Sequence, residues 1–325
     1  MTSRVTVAIP LWKRLEYLPG ALHTVAAQDY PNIELLISDN GQNGEKLQAI
    51  LDEYASMPYR LRSNEVTVEM LDHFNQLVDA AEGEYFILLQ DDDELTPNYV
   101  SSTVAAIERD PDVGVAIAPV EALNEAGETV PQRMQEHLPP RLMTGEELVR
   151  IWCRNEYNFV CFATNLARTR EIREVGGYPR LPMGTSIDDA LLLKLALGRK
   201  IACVHEAAFQ YRIYETSHGL ALSYQQLARD FRAFINWLDD DPVMQTYAQK
   251  HRREWSEVRR LLVEMTWRTY RYRWKTMYRK RLSTFEWVKA AFAMPFIPSY
   301  YSAVTGHIFR RGFKASKRFL LRVAV

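Results

Sequence analysis

Residues 85–97 read YFILLQDDDELTP. An apolar run ends on three aspartates and a glutamate, groups that repel one another and are seldom buried without partners. A buried strand that delivers acids to its carboxyl end fits a parallel sheet, where ligands bind in the crevice outside that edge. VTVAIP (5–10), IELLISD (33–39) and VGVAIAP (113–119) are similar runs. Apolar residues at helical spacing lie between them, over 15–28, 45–55, 68–81 and 99–109. This alternation predicts an α/β fold with a mostly parallel, Rossmann-like sheet covered by helices on both faces.

Further along, residues 120–145 read as loop, with Gly127, Pro131, Pro139 and Pro140. A helix over 144–154, a strand and helix over 158–179 closed by Gly176 and Gly177, a helix over 186–200 and a strand over 201–213 follow. Beyond residue 220 the pattern is helical. Cys153, Cys161 and Cys203 have neither a disulfide framework's number nor zinc-ligand spacing and read as buried thiols in a reducing cytoplasm. The opening MTSRVTVAIPLW lacks a basic segment followed by a long apolar run, so a signal peptide is not expected.

The net charge of −1 hides an asymmetry. Residues 251–325 hold 18 Lys+Arg against 4 Asp+Glu, a surplus of +14, leaving 22 against 37 (−15) for residues 1–250.

Clustered carboxylates at a strand end suit a hard divalent cation that also grips phosphate oxygens. The alternative is a solvated acidic turn leading into a helix near Thr96. Asp39 ends its strand in the same way, before Asn40 and Gly41. It reads either as the first residue of a turn or as a carboxylate facing a nucleobase N–H.

The order of these motifs resembles family 2 glycosyltransferases of the GT-A fold. VAIPLWKRLEYLPGALHTVAAQDYPNIELLISDNG is similar to their opening P-x-Y-N-R and later D-D-G, and FNQLVDAAEGEYFILLQDDDELTP to the segment that carries their DxD metal motif. REVGGYP resembles their acceptor-side Gly-Gly-Tyr, and IDDALLLKLALGRKIACVHEAAFQYRI their Glu-Asp to Tyr-Arg-x-His region. The resemblance covers roughly residues 4–217. It implies a GT-A catalytic domain over 1–220, with a nucleotide-sugar half to about 120 and an acceptor half over 121–220. It also implies Mn²⁺ or Mg²⁺ and a nucleotide diphosphate-sugar donor, a UDP-sugar favoured. Pro10, Trp12 and Arg14 are then expected beside the nucleotide, Asp39 on the base and Asp92 near the ribose. Asp91 and Asp93 are expected on the metal, and Asp188 as the general base of an inverting transfer. The sequence departs from the pattern at Gln90, Ile187 and Tyr214, where Asp, Glu and His are usual. His218 is a candidate substitute for that histidine, or an exposed loop residue.

Ser186 and Asp189 have capping-box spacing, which gives Asp189 a structural role and leaves Asp188 facing the crevice. A carboxylate in a helix's first turn is a weak base unless burial or a like charge offsets the helix dipole.

The region over 221–325 interleaves Trp, Tyr and Phe with Arg and Lys. Such composition suits an anionic membrane surface, or else a helical subdomain with an aromatic core. Residues 290–309 lack charge, but Pro295, Pro298, Gly306 and His307 argue for an interfacial segment over a span. The expected partners are a donor, a glycan or lipid-linked acceptor and the inner membrane face; an oligomer is allowed. Two other readings compete. A nucleotidyltransferase would need an early Gly- and Lys/Arg-rich phosphate loop, which IPLWKRLEYLPG does not supply. A nucleic-acid binder using the basic region conflicts with the acidic body, so no nucleic acid is expected.

Overall fold

A computed structural model describes residues 2–130, 138–154, 164–182, 184–214 and 222–293. The nucleotide-side half runs β1 (Val5–Leu11), α1 (Leu18–Ala26), β2 (Ile33–Asp39), α2 (Gly44–Tyr54), β3 (Tyr59–Ser63), α3 (Met70–Ala80), β4 (Tyr85–Leu88), β5 (Glu94–Leu95), α4 (Tyr99–Glu108) and β6 (Val113–Ile117). Then come β7 (Val120–Leu123), β8 (Thr129–Val130), β9 (Leu142–Thr144), α5 (Gly145–Arg154), β10 (Leu166–Arg168), α6 (Thr169–Glu174), α7 (Ile187–Ala196), β11 (Lys200–Cys203) and β12 (Phe209–Arg212). The chain continues through α8 (Tyr224–Asp240), α9 (Pro242–Lys250), α10 (Arg252–Arg273), a π-helical segment Trp274–Tyr278, α11 (Arg279–Arg281) and α12 (Thr284–Ala291).

Eight strands form one mixed sheet in the order β3-β2-β1-β4-β10-β6-β11-β9. β1, β2, β3 and β4 are mutually parallel, β6 and β11 are parallel, and β10 and β9 run against their neighbours. Alternate residues of a strand face opposite sides. Val7, Ile9 and Ile87 therefore pack with α1, α2 and α4, while Ala8, Phe86 and Leu88 pack with α3, α5 and α7. Helices on both faces are what the apolar strands required. A second, four-stranded sheet in the order β5-β12-β7-β8 stands beyond the carboxyl end of β4. The loop reading of 120–145 is corrected, since β7 and β8 lie in this sheet and β9 at the edge of the larger one, and the single strand read over 201–213 is two, β11 in the larger sheet and β12 in the smaller.

The core does not stop at residue 220. Phe234, Leu238, Met244, Tyr247, Val258 and Leu262 belong to the same cluster as α5 and α7. Of the two readings of the aromatic region, an aromatic core is seen for five of its side chains. Trp267, Tyr270, Trp274, Tyr278 and Trp287 are buried in a helical cluster with Leu227 and Phe231. Trp274 and Trp287 stack at 4.4 Å between ring centroids. Each indole N–H donates to the other's carbonyl, at 2.8 and 3.0 Å. Aromatic rings bury more area by packing on one another than by meeting water, so these five form a core. Tyr272, Phe285 and Phe292 remain exposed. Among the described residues, no helix is long and apolar enough to cross a membrane. His218, Cys161 and most of the uncharged 290–309 stretch lie outside the described residues.

Candidate active site

β4 ends at Leu88, and the chain turns through Asp91–Asp93 directly into β5. β5 pairs antiparallel with β12, Gln210 opposite Glu94. That register brings Arg212, two residues past Gln210, against the acidic turn. Its backbone N–H donates to Asp93 Oδ1 at 3.0 Å and its Nε to the Asp92 carbonyl at 2.8 Å. Its guanidinium pairs with Glu94 and donates to the Asn124 carbonyl at 2.9 Å. Arg212 is 4% exposed, so this buried charge is compensated on several sides.

Arg14, from the loop after β1, pairs with Asp92. The Tyr214 hydroxyl donates to the same carboxylate oxygen at 2.6 Å. The Arg14 guanidinium lies over the Tyr214 ring at 4.4 Å and over Tyr17 at 5.2 Å, and Arg212 lies over Tyr17 at 4.8 Å. Burial alone would lower Arg14's pKa, but Tyr214 and the Asp92 charge raise it, so the guanidinium stays charged. Tyr214, which stands where histidine is usual, serves here as a hydrogen-bond donor and a stacking platform.

The three aspartates differ. Asp92 is held by Arg14 and Tyr214. Burial and the Asp92 charge push Asp91 up to about 7, against the pull of Arg14. Asp93 is 1% exposed, deeper than an acid lining an open crevice, and burial followed by the Asp92 charge raises it well above the usual carboxylate range. Its Oδ2 is buried without a hydrogen-bond partner. Among the described residues no three His, Cys, Asp or Glu side chains converge as a metal cage. Asp91 and Asp93 nonetheless fit a divalent cation shared with phosphate. Mg²⁺ is commonly held by one or two carboxylates plus substrate oxygens, and an orphaned buried carboxylate oxygen is the kind of donor it takes.

Asp39 ends β2, two strands from β4, opposite Leu11 of β1 in register. Its carboxylate accepts from Gly41 N–H at 2.8 Å, Asn43 N–H at 2.7 Å and Asn43 Nδ2 at 2.7 Å. The turn reading of Asp39 is therefore realised, and of its roughly four acceptor positions one remains, on Oδ2. Pro10 is buried in β1 opposite Ser38, while Trp12 is 58% exposed on the rim.

Asp188 occupies the first turn of α7, apart from the acidic turn. The expected capping box is not formed, because the Ser186 side chain accepts no cap hydrogen bond. The cap argument for separating Asp188 from Asp189 is thereby corrected, and their surroundings separate them instead. The Asp188 charge bears on Tyr178 of the Gly-Gly-Tyr turn, and the Asp189 charge on Cys153 of α5. Asp188 Oδ1 is enclosed without a hydrogen-bond partner, and burial alone pushes the carboxyl up to about 7. Burial and then the Asp188 charge push Asp189 up to about 8. Enclosure thus outweighs the helix dipole at Asp188.

Asn75 of α3 escaped the sequence reading of site residues. It accepts from Tyr178 N–H at 2.8 Å and donates to the Tyr178 carbonyl at 3.1 Å. Gly177 has φ +65°, and a Cβ there would lie 2.3 Å from Asn75 Oδ1. Only glycine lets the turn approach α3 this closely. The position of Asn75 in FNQLV was the available signal.

This fold, an acid-tipped mixed sheet with a second small sheet over its carboxyl edge, is the GT-A-like glycosyltransferase architecture. Residues 6–175, more than half of the chain, match the family described as Glycosyl transferase family 2. The chain belongs to that family. It is 30% identical over 102 residues, 31% of this chain and 37% of the relative, to WcaA of Escherichia coli (strain K12), by name a colanic acid biosynthesis glycosyl transferase. It is 27% identical over 214 residues to the uncharacterized protein Rv1520 of Mycobacterium tuberculosis, covering 63% of this chain and 57% of that one. The chain thus spans well under two thirds of the length of these curated relatives. Among solved structures, S. aureus TarS 1-349 in complex with UDP-GlcNAc matches with a TM-score of 0.63 at 18% identity, over 90% of this chain and 82% of that one. Mannosyltransferase PcManGT from Pyrobaculum calidifontis in complex with GDP-Man and Mn²⁺ matches with a TM-score of 0.52 at 14% identity, over 95% and 81%.

Proposed function

We propose that this chain transfers a sugar from a nucleotide diphosphate-sugar, a UDP-sugar favoured, to a hydroxyl of a glycan or lipid-linked glycan. Assembly of a bacterial surface polysaccharide or lipopolysaccharide is the setting. The observation that carries this reading is the acidic turn Asp91–Asp93 at the carboxyl end of β4, bracketed by Arg14 and Arg212. The family, the name of WcaA and the nucleotide-sugars in the TarS and PcManGT complexes support it. The nucleotidyltransferase and nucleic-acid readings have no comparable support.

In this reading Asp39 meets the base through its remaining Oδ2 position, and Pro10 and the exposed Trp12 lie beside the nucleotide. Asp92, held by Arg14 and Tyr214, faces the ribose. Asp91 and Asp93 would hold Mn²⁺ or Mg²⁺, which when bound supplies positive charge to the departing diphosphate. Arg14 adds a fixed cation beside it. Asp188 takes the proton of the acceptor hydroxyl, whose oxygen bonds to the anomeric carbon as the carbon–phosphate oxygen bond breaks, with inversion. The test is a panel of UDP-, GDP- and dTDP-sugars incubated with Mn²⁺ and scored for nucleoside diphosphate release. One donor class should be consumed well above the others, and no consumption of any would sink the assignment.

The exposed Phe285, with Lys289 above its ring at 4.6 Å, and the adjacent Arg279-Lys280-Arg281 favour docking on the cytoplasmic face of an anionic membrane. Each such cation contributes about 1 kcal/mol near an anionic surface, screened by salt. Sedimentation with phosphatidylserine-containing vesicles should pull down the full-length protein at low salt and release part of it at high salt. If it ignores them, a soluble acceptor replaces the lipid-linked one.

A further inference from the structure

Helix α7 carries Asp188 in its first turn, and Ile187 and every residue from Ala190 to Ala196 is buried. A helix sealed on so many sides takes its position from what grips its ends. Its own N-cap side chain makes no cap bond. The grip comes from α8 instead. Asp230, fully buried, accepts from the Thr185 N–H at 3.0 Å through Oδ2, and the Thr185 hydroxyl donates to the same oxygen. The preceding Gly184 has φ +71°, and a Cβ there would lie 2.4 Å from Met70 Cε, so the turn is wedged against the start of α3. At the far end of α7, buried Lys194 donates to the Val175 carbonyl at 2.8 Å and meets Asp241 Oδ2 at 3.3 Å. Asp241 also caps α9, accepting from Val243 N–H at 2.9 Å.

Asp230 lies within α8, and Asp241 is the residue that follows its last turn and caps α9. The two carboxylates meet Thr185, three residues before Asp188, and Lys194, within α7, in the same order. A buried carboxylate is costly unless its partners are held in place, so the two pairs fix the rotation and height of α7.

We propose that α8 is part of the catalytic machinery, with Asp230 as the positioning residue that sets Asp188 against the acceptor hydroxyl. This rests on the reading of Asp188 as the general base. The helices beyond residue 220 then do more than fill a core: they hold the reacting carboxylate still.

The test is steady-state kinetics of Asp230→Ala, Asp230→Asn, Thr185→Val and Asp188→Asn in the full chain, with thermal unfolding alongside. Asp230→Ala is expected to lower kcat about 100-fold, the cost of a misplacement near 1 Å, with donor KM unchanged within about twofold. Asp230→Asn keeps an acceptor for the Thr185 N–H and should restore most of kcat. If Asp230→Ala does not fold, Thr185→Val carries the test, with a loss in kcat of about tenfold expected and wild-type kcat overturning the proposal. A folded Asp230→Ala with wild-type kcat beside an inactive Asp188→Asn overturns the positioning role and leaves the base reading intact. Equal loss in kcat and donor KM, unrescued by asparagine, reduces Asp230 to a fold-holding residue and also overturns it. Wild-type turnover by Asp188→Asn overturns both.

Discussion

Asp188→Asn is expected to lower kcat by about 10²- to 10⁴-fold, the usual worth of a positioned acid–base group, while donor KM stays near wild type. The asparagine keeps the shape of the side chain but cannot take a proton. If the donor is held as proposed, by Arg14 and the Asp91–Asp93 turn and apart from α7, its binding should not register the change. The pH profile supplies a second sign. A base must be ionised, and burial raises the Asp188 carboxyl to about 7. Wild-type kcat should therefore rise with pH through about 7 and level off above it. A flat profile from pH 5 to 9, or a donor KM that rises as steeply as kcat falls, would place Asp188 outside the chemical step.

Chelation should be equally severe. In EDTA, transfer is expected to fall by about a hundredfold or more, since a bound cation is worth several kcal/mol of transition-state charge stabilisation. Mn²⁺ or Mg²⁺ should restore it. Asp91→Asn and Asp93→Asn should require more metal for half-maximal rate. Asp93→Asn should nevertheless fold, because its Oδ1 can still accept from Arg212 N–H. The physical ground is that two acids with raised pKa values lie beside cations already committed elsewhere, Arg14 to Asp92 and Arg212 to Glu94. A full rate in chelator would mean that the two arginines suffice for the diphosphate.

The central strands were legible because each is apolar on both faces. β1, β2, β4 and β6 start at the expected residues and end within two of the expected ends, and the acids fall on the rim. β3, with the sequence YRLRS, was missed because it is the sheet's half-exposed edge and carries arginines where a central strand carries valines. β7, β8 and β9 are two to four residues long, too short to show a period of two. The site's second half was less legible for a different reason. Arg212 reaches Asp93 across 119 residues and Asp230 reaches Thr185 across 45, and such contacts are set by topology and not by local spacing. The capping box at Ser186 and Asp189 has the right letters, but the turn before α7 is held from outside. In the aromatic region composition left a membrane surface and an aromatic core both open, because it does not say that Trp274 and Trp287 stack on one another.

The most direct measurement is proton NMR of the sugar released when the donor is hydrolysed with water as acceptor, recorded before mutarotation. Attack assisted by Asp188 from the face opposite the diphosphate requires the first-formed sugar to have the anomeric configuration opposite to the donor's. Appearance of the donor's own configuration first would contradict a single displacement with Asp188 as its base.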